Sequence, residues 1–240
     1  MNYGLIGKTL GHSFSKRYFD EFFSREGLPH TYELIEIPSI YCLGDEIERR
    51  QLAGFNITIP YKEQILPMLD ATSHEAHRIG AVNVAKRQGK QLIGFNTDAP
   101  AFRATLLPLL KPHHTDALIL GTGGASKAVA YALTELGISH TLVSRSPKDG
   151  QIGYAEAYER AHSTFLIVNC TPVGTTPNDT QSPWLRPEVF GHKHLCYDLI
   201  YNPSPTAFLS EAGKRGAATQ GGLEMLHLQA ALSWKIWQEE

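Results

Sequence analysis

A continuous apolar run, Ala117-Leu118-Ile119-Leu120, ends at Gly121 and leads directly into Thr122-Gly123-Gly124-Ala125-Ser126. An unbroken apolar run of this length fits a strand covered on both faces, as at the centre of a parallel sheet. The glycines then mark a turn. The stretch "KAVAYALTELG", closed by Gly137, reads as a helix, and "HTLVSRS" reads as a second strand. Strand, glycine-rich turn, helix and strand make a βαβ unit, which commits the surrounding chain to a parallel, doubly wound sheet.

The same turn has a chemical reading. Gly121 permits the tight bend, Gly123 lets a pyrophosphate approach the backbone, and small Ser126 stands where close helix–strand packing is needed. Free N–H groups at the start of the helix then meet phosphate oxygens. Cofactor choice is read at the end of the next strand, where NAD-binding chains place an acid on the ribose hydroxyls. Here the residues are Ser144-Arg145-Ser146-Pro147-Lys148, with no carboxylate before Asp149. A guanidinium is always charged and grips a phosphate with two parallel bonds, so NADP is expected over NAD.

Strands and helices alternate elsewhere too. "YGLIG", "TYELIEIP", "GFNITIP", "AVNVAKRQGKQLIGFN" (two strands), "FLIVNCTP" and "LCYDLIYNP" read as strands. "SFSKRYFDEFFSREG", "CLGDEIERRQL", "KEQILPMLD" (disturbed at Pro67), "APAFRATLLPLL", "SPTAFLSEAGKRG" and "LEMLHLQAALSWKIW" read as helices. The class is α/β. Two domains are expected: residues 1–100, completed by a C-terminal helix over 223–240, and a Rossmann-like nucleotide-binding domain over 101–222. The gap between "SRSP" and "FLIVNCTP" is short, so the helix after the second nucleotide-domain strand is expected to be shortened or lost.

Composition removes other classes. A net charge of −2 gives no field for nucleic acid or an anionic membrane. No stretch approaches the roughly 18 apolar residues of a membrane span, and the N-terminus has no basic, apolar leader. Three scattered cysteines, Cys42, Cys170 and Cys196, favour neither a disulfide framework nor a thiolate zinc site and fit a reducing cytoplasm. "HEAHR" at 74–78 is one residue short of the zincin spacing, so no metal is expected. His113, His114, His192 and His194 fall in loop-like stretches and are given no role.

"GFNITIPYKEQ" (54–64) reads as a half-buried strand through the alternation Phe55, Ile57, Ile59, cut off at Pro60. Lys62 follows in what becomes a first helical turn, where an ammonium is unfavourable without an acidic partner. Asp98 follows the strand "LIGFN" in the same way, so the two groups meet if both strands run in one direction in one sheet. Asn83, in "GAVN", is placed in the same region. Ser13 and Ser15, in "GHSFSK", sit before a helix, where they either cap it or hold a carboxylate. Asp98 as a helix cap is the competing structural account.

At this point the chain resembles the shikimate dehydrogenases, nearly end to end and in family order. "GHSFSK", "GFNITIPYKE", "GAVN", "GFNTD", "GTGGASKA", "VNCTPVG", "DLIYNPSPT" and "GGLEMLHLQAALSW" carry the resemblance, with "SRS" a loose match. The resemblance implies reduction of 3-dehydroshikimate to shikimate with NADPH, in aromatic amino-acid biosynthesis. It implies that Ser13 and Ser15 hold the substrate carboxylate, that Thr58, Asn83 and Gln229 bind ring hydroxyls, and that Lys62 and Asp98 form the catalytic pair. It further implies that Gly121, Gly123, Gly124, Ala125 and Ser126 cradle the pyrophosphate and that Arg145 meets the 2′-phosphate. Asn169, Thr171, Tyr201 and Gly222 would line the nicotinamide side, with Tyr201 also facing substrate. The family's N-R-T is altered: Ser144 and Ser146 flank Arg145, and Lys148 stands one position early for the second basic residue. The small-molecule partner would be shikimate, and the chain a monomer or homodimer. A quinate/shikimate dehydrogenase using NAD, and a catalytically silent nucleotide-binding homologue, are the competing readings.

Overall fold

The computed structural model describes residues 1–11 and 14–239 and divides them into two units. The first comprises Met1–Asp98 and His227–Glu240, the second Ala99–Leu226.

The first unit runs β1 (Asn2–Gly7), α1 (Phe14–Arg25), β2 (Thr31–Glu36), α2 (Leu43–Arg50), β3 (Leu52–Ile57), α3 (Tyr61–Gln64), β4 (Ala71–Thr72), α4 (His74–Ile79), β5 (Val84–Gln88) and β6 (Gln91–Phe95). Its sheet has the order β2-β1-β3-β5-β6-β4. Only β5 runs against its neighbours, pairing antiparallel with both β3 and β6. The strands before Lys62 and Asp98 therefore point the same way, with β5 between them. The carboxyl ends of β3 and β6 and the amino end of β5 share one edge of the sheet, so Thr58, Asn83 and Thr97 emerge side by side.

β3 departs from the expected half-buried strand. It stops at Ile57, Ile59 is 66% exposed, and Asn56, on the nominally polar face, is 5% exposed. The cause is a second covering layer. Phe55 and Ile57 face one apolar cluster with Leu43, Ile47 and Tyr61. The opposite face meets the chain's last helix, whose Trp237 sits where a Cβ on Gly54 would stand. That layer is rich in stacked rings: Tyr3 lies 4.6 Å from Trp237 and Phe19 lies 4.4 Å from Tyr32, centroid to centroid.

The second unit continues with α5 (Asp98–Leu106), β7 (Asp116–Leu120), α6 (Gly124–Glu135), β8 (Ser139–Val143), β9 (Gln151–Ile152), α7 (Tyr154–Arg160), β10 (Leu166–Asn169), β11 (Leu195–Asp198), α8 (Ala207–Lys214), β12 (Ala218–Gln220) and the start of α9 (Leu223–Gln238). The order β12-β11-β10-β7-β8-β9 is parallel throughout. This is the doubly wound dinucleotide-binding arrangement, with its switch point between β7 and β10. β7, β10 and β11 are buried along their lengths, as their unbroken apolar runs require. Residues 144–150 form a turn rather than a helix, and β9 pairs with β8 directly after it. The shortened connection is thus real.

Two histidines that the sequence left without a role prove to be loop clasps. In His114, Nδ1 accepts from the Lys111 N–H at 3.0 Å and Nε2 bonds the Lys193 carbonyl at 3.0 Å. In His194, Nδ1 accepts from the Gly191 N–H at 3.1 Å and Nε2 bonds the Ala161 carbonyl at 3.0 Å. Each ring must be neutral, since a protonated Nδ1 cannot accept. Burial lowers both pKa values, and the backbone bonds oppose it only in part. A histidine whose folded pKa lies below its unfolded value contributes stability above about pH 6.5, lost as pH falls toward the folded value. Denaturant midpoints between pH 7 and pH 5 should therefore fall more steeply for the wild type than for His194→Gln. Equal slopes would refute the clasp.

Candidate active site

In the first unit, α3 carries Lys62. Its single turn is anchored by Tyr61, whose buried hydroxyl donates to the Ile37 carbonyl at 2.6 Å. The Lys62 carbonyl accepts from the Val82 N–H at 2.8 Å, which ties that turn to the segment leading into Asn83. Lys62 Nζ then lies 2.6 Å from Asp98 Oδ2, with side chains 16% and 9% exposed. Oδ1 of Asp98 accepts from Asn83 Nδ2 at 3.0 Å. Asn83 is itself fixed: its Oδ1 accepts from the Thr97 N–H at 2.7 Å, and its Nδ2 reaches Thr97 Oγ1 at 2.9 Å and Gln229 Oε1 at 3.4 Å. Lys62, Asp98, Asn83 and Gln229 form one hydrogen-bonded group assembled from three strand ends and α9. A proton donor held against a carboxylate, beside two amides, can transfer a proton and bind hydroxyls.

Thr58 is half-buried on the same edge, its methyl over Gly7 and its carbonyl accepting from the Tyr61 N–H at 2.9 Å. Ser15, on the first turn of α1, is buried and hydrogen-bonds the Tyr32 hydroxyl. Ser13 lies outside the described residues.

In the second unit, Gly121 has φ +106°, a conformation that L side chains rarely adopt. A Cβ there would stand 3.1 Å from the Thr171 methyl, so the turns after β7 and β10 meet at the switch point. Gly123 caps α6 with extended backbone and no side-chain cap, and nothing stands within 4 Å of where its Cβ would be. That open cradle over the N–H groups of Gly124 and Ala125 fits a pyrophosphate. Ser126 is buried and donates to the Gly123 carbonyl at 2.6 Å, so its hydroxyl serves the turn itself. Arg145 and Lys148 are exposed on the 144–150 turn, where the Ser146 N–H donates to Ser144 Oγ at 3.2 Å. No carboxylate precedes Asp149 on that turn, so the residues present suit a ribose bearing a phosphate.

Asn169 is fully buried, with its amide engaged within the protein. Oδ1 accepts from the Thr171 N–H at 2.9 Å and hydroxyl at 2.7 Å, and Nδ2 donates to Asp198 Oδ1 at 2.9 Å. It shapes the turn that Thr171 occupies. Burial pushes the Asp198 carboxyl up to about 6, against hydrogen bonds from Thr206, the Ile200 N–H and Asn169. Tyr201 is half-buried. Gly222 is buried with its Cα against Leu199. Sequence reasoning passed over Asn56, Thr97 and Asp198. Only Asp198, which ends the apolar run Leu195-Cys196-Tyr197, carried a local signal; Asn56 occupies the polar phase of an alternating strand and Thr97 follows another polar residue, Asn96.

Among the described residues, no group of three or more histidine, cysteine, aspartate or glutamate side chains is arranged to hold a metal, and no helix is long and apolar enough to cross a membrane.

The shikimate dehydrogenase substrate binding domain matches residues 5–85. The NADP(+) shikimate dehydrogenase of Caldicellulosiruptor saccharolyticus is 35% identical over 97% of this chain and 90% of its own length. The crystal structure of shikimate dehydrogenase 1 from Peptoclostridium difficile superposes with a TM-score of 0.89 at 35% identity, covering 99% of this chain and 91% of that one. The Thermus thermophilus enzyme, solved in complex with NADP(H) and shikimate, gives 0.87 at 35% identity, covering 99% and 93%. With relatives this similar along almost its whole length, the chain belongs to the shikimate dehydrogenase family.

Proposed function

We propose that this protein is an NADP-dependent shikimate dehydrogenase that interconverts 3-dehydroshikimate and shikimate, with Lys62 as general acid and base. The observation that carries the reading is the 2.6 Å contact between Lys62 Nζ and Asp98 Oδ2, on the sheet edge that also presents Asn83. We assign substrate binding to residues 1–100 with the helix over 223–240, and NADP binding to 101–222. Bound NADPH supplies a hydride to the substrate carbonyl carbon. The chain's own residues do the rest. Lys62 gives its proton to the oxygen on which negative charge grows, and in the reverse direction the neutral amine takes the hydroxyl proton. Asp98 stabilises the ammonium and aims it. Asn83, locked by Thr97, and Gln229 bond ring hydroxyls, with Thr58 beside them; Ser13 receives the carboxylate, and Ser15 turns its hydroxyl from Tyr32 to join it when substrate binds. Gly121, Gly123, Gly124 and Ala125 hold the pyrophosphate, while Arg145 with Lys148 receives the 2′-phosphate. Cys42, Cys170 and Cys196 remain thiols, which suits the cytoplasm.

The test is cofactor reduction with shikimate or quinate and NADP or NAD. Shikimate with NADP should give the highest kcat/KM. Arg145→Ala should raise KM for NADP about tenfold or more, as loss of a charge-assisted phosphate contact requires, and leave KM for NAD unchanged. A wild-type preference for NAD with quinate would overturn the assignment, and cofactor binding without turnover would mark a silent homologue.

A further inference from the structure

We infer that Asn56 is a positioning residue for the substrate pocket, tying together the three elements that carry Ser15, Asn83 and Gln229. The inference rests on the function proposed above and adds residues that neither touch substrate nor take part in proton transfer.

Asn56 lies in the middle of the sheet, 5% exposed, and its amide is saturated by protein groups. Oδ1 accepts from the Tyr32 hydroxyl at 2.7 Å. Nδ2 donates to Ser233 Oγ at 2.9 Å and to the Asn83 carbonyl at 3.3 Å. Ser233 Oγ passes its own proton to the Gln229 carbonyl one turn earlier in α9, at 2.8 Å. Tyr32 in turn is hydrogen-bonded by Ser15 at the start of α1. One side chain on β3 therefore connects to the first turn of α1, to the residue that opens β5, and to the turn of α9 bearing Gln229.

The chemistry allows one orientation of that amide. The Asn83 carbonyl can only accept, and Ser233 Oγ has already given its proton to Gln229, so both must face N–H. Tyr32 must then donate to Oδ1. Tyr32 is 1% exposed, and burial raises its pKa well above the ordinary tyrosine value, so it remains a donor across the working pH range. Ser233 is fully buried as well. A buried, fully satisfied network of this kind fixes geometry more than it adds stability. What it fixes is the mutual placement of the proposed carboxylate and hydroxyl ligands.

The test uses Tyr32→Phe, Ser233→Ala, the double variant and Ser233→Thr, each in the full-length protein. Wild-type turnover of shikimate with NADP is measured first, and its absence would take down both the function and this inference. Given that turnover, Tyr32→Phe and Ser233→Ala should each raise KM for shikimate about tenfold, the worth of one lost hydrogen bond. KM for NADP should stay within about twofold and kcat within about threefold. Ser233→Thr, which keeps the hydroxyl, should restore KM. The double variant should fall short of the product of the single effects, because both act through one amide. Lowered melting temperatures with KM for shikimate unchanged, or with both KM values rising together, would reduce Asn56 to a purely structural role while leaving the assigned function intact. If Ser233→Ala fails to fold, the Tyr32→Phe split between the two KM values decides alone.

Discussion

Lys62→Ala should lower kcat for shikimate oxidation by about 10²–10⁴, the range over which a positioned acid–base group acts. KM for shikimate should change far less, because the residues proposed to bind the ring hydroxyls sit on other elements. Asn83 still donates to Asp98 Oδ1 in the variant, and the Tyr61 hydroxyl still anchors the α3 turn at Ile37. The fold should therefore survive, although an acid only 9% exposed loses its counter-ion. Steady-state kinetics beside a thermal melt separate the two effects. A folded variant with near wild-type turnover would remove Lys62 from the chemistry.

Gly222→Ala should be the most damaging small substitution in the second unit. An added Cβ would stand 2.1 Å from the Leu199 carbonyl oxygen and 2.5 Å from its carbon. Both are backbone atoms just beyond β11, with no rotamer to relieve the clash. The Gly222 N–H also donates to the Ile200 carbonyl at 3.0 Å, so neither strand of chain can withdraw without breaking that bond. Overpacking of this kind costs typically 1–3 kcal/mol and more where nothing yields. For a chain of this length, about 3 kcal/mol lowers Tm by roughly 6–12 °C. A calorimetric scan within about 2 °C of wild type would show that the contact relaxes freely.

How much of this was legible in the sequence differs by residue. Lys62 and Asp98 could be paired because each follows an apolar strand directly, and two strands of like direction deliver such residues to one edge. Gly121 and Gly123 could be placed because a strand and a helix flank them. The turn at 144–150 was foretold by too few residues for a helix. Asn56 was not legible. It occupies the polar phase of an alternating strand, and the helix that covers it lies 177 residues further along the chain, at Ser233. Ile59 misled in the opposite sense, extending an apolar rhythm past the point where the strand has ended. β4 and β9, at two residues each, are too short to show any period. His114 and His194 looked idle because no local pattern reveals which backbone groups a ring will meet.

The reversed course of β5 has a further consequence. Its amino end brings Asn83 to the edge that carries Lys62 and Asp98, so its bend into β6, at exposed Gly89 and Lys90, falls on the opposite rim of the sheet. Extra loop length there is accommodated in solvent, remote from the ammonium and its acid. That hairpin tip is where this scaffold can accept a graft or a tag without disturbing its chemistry.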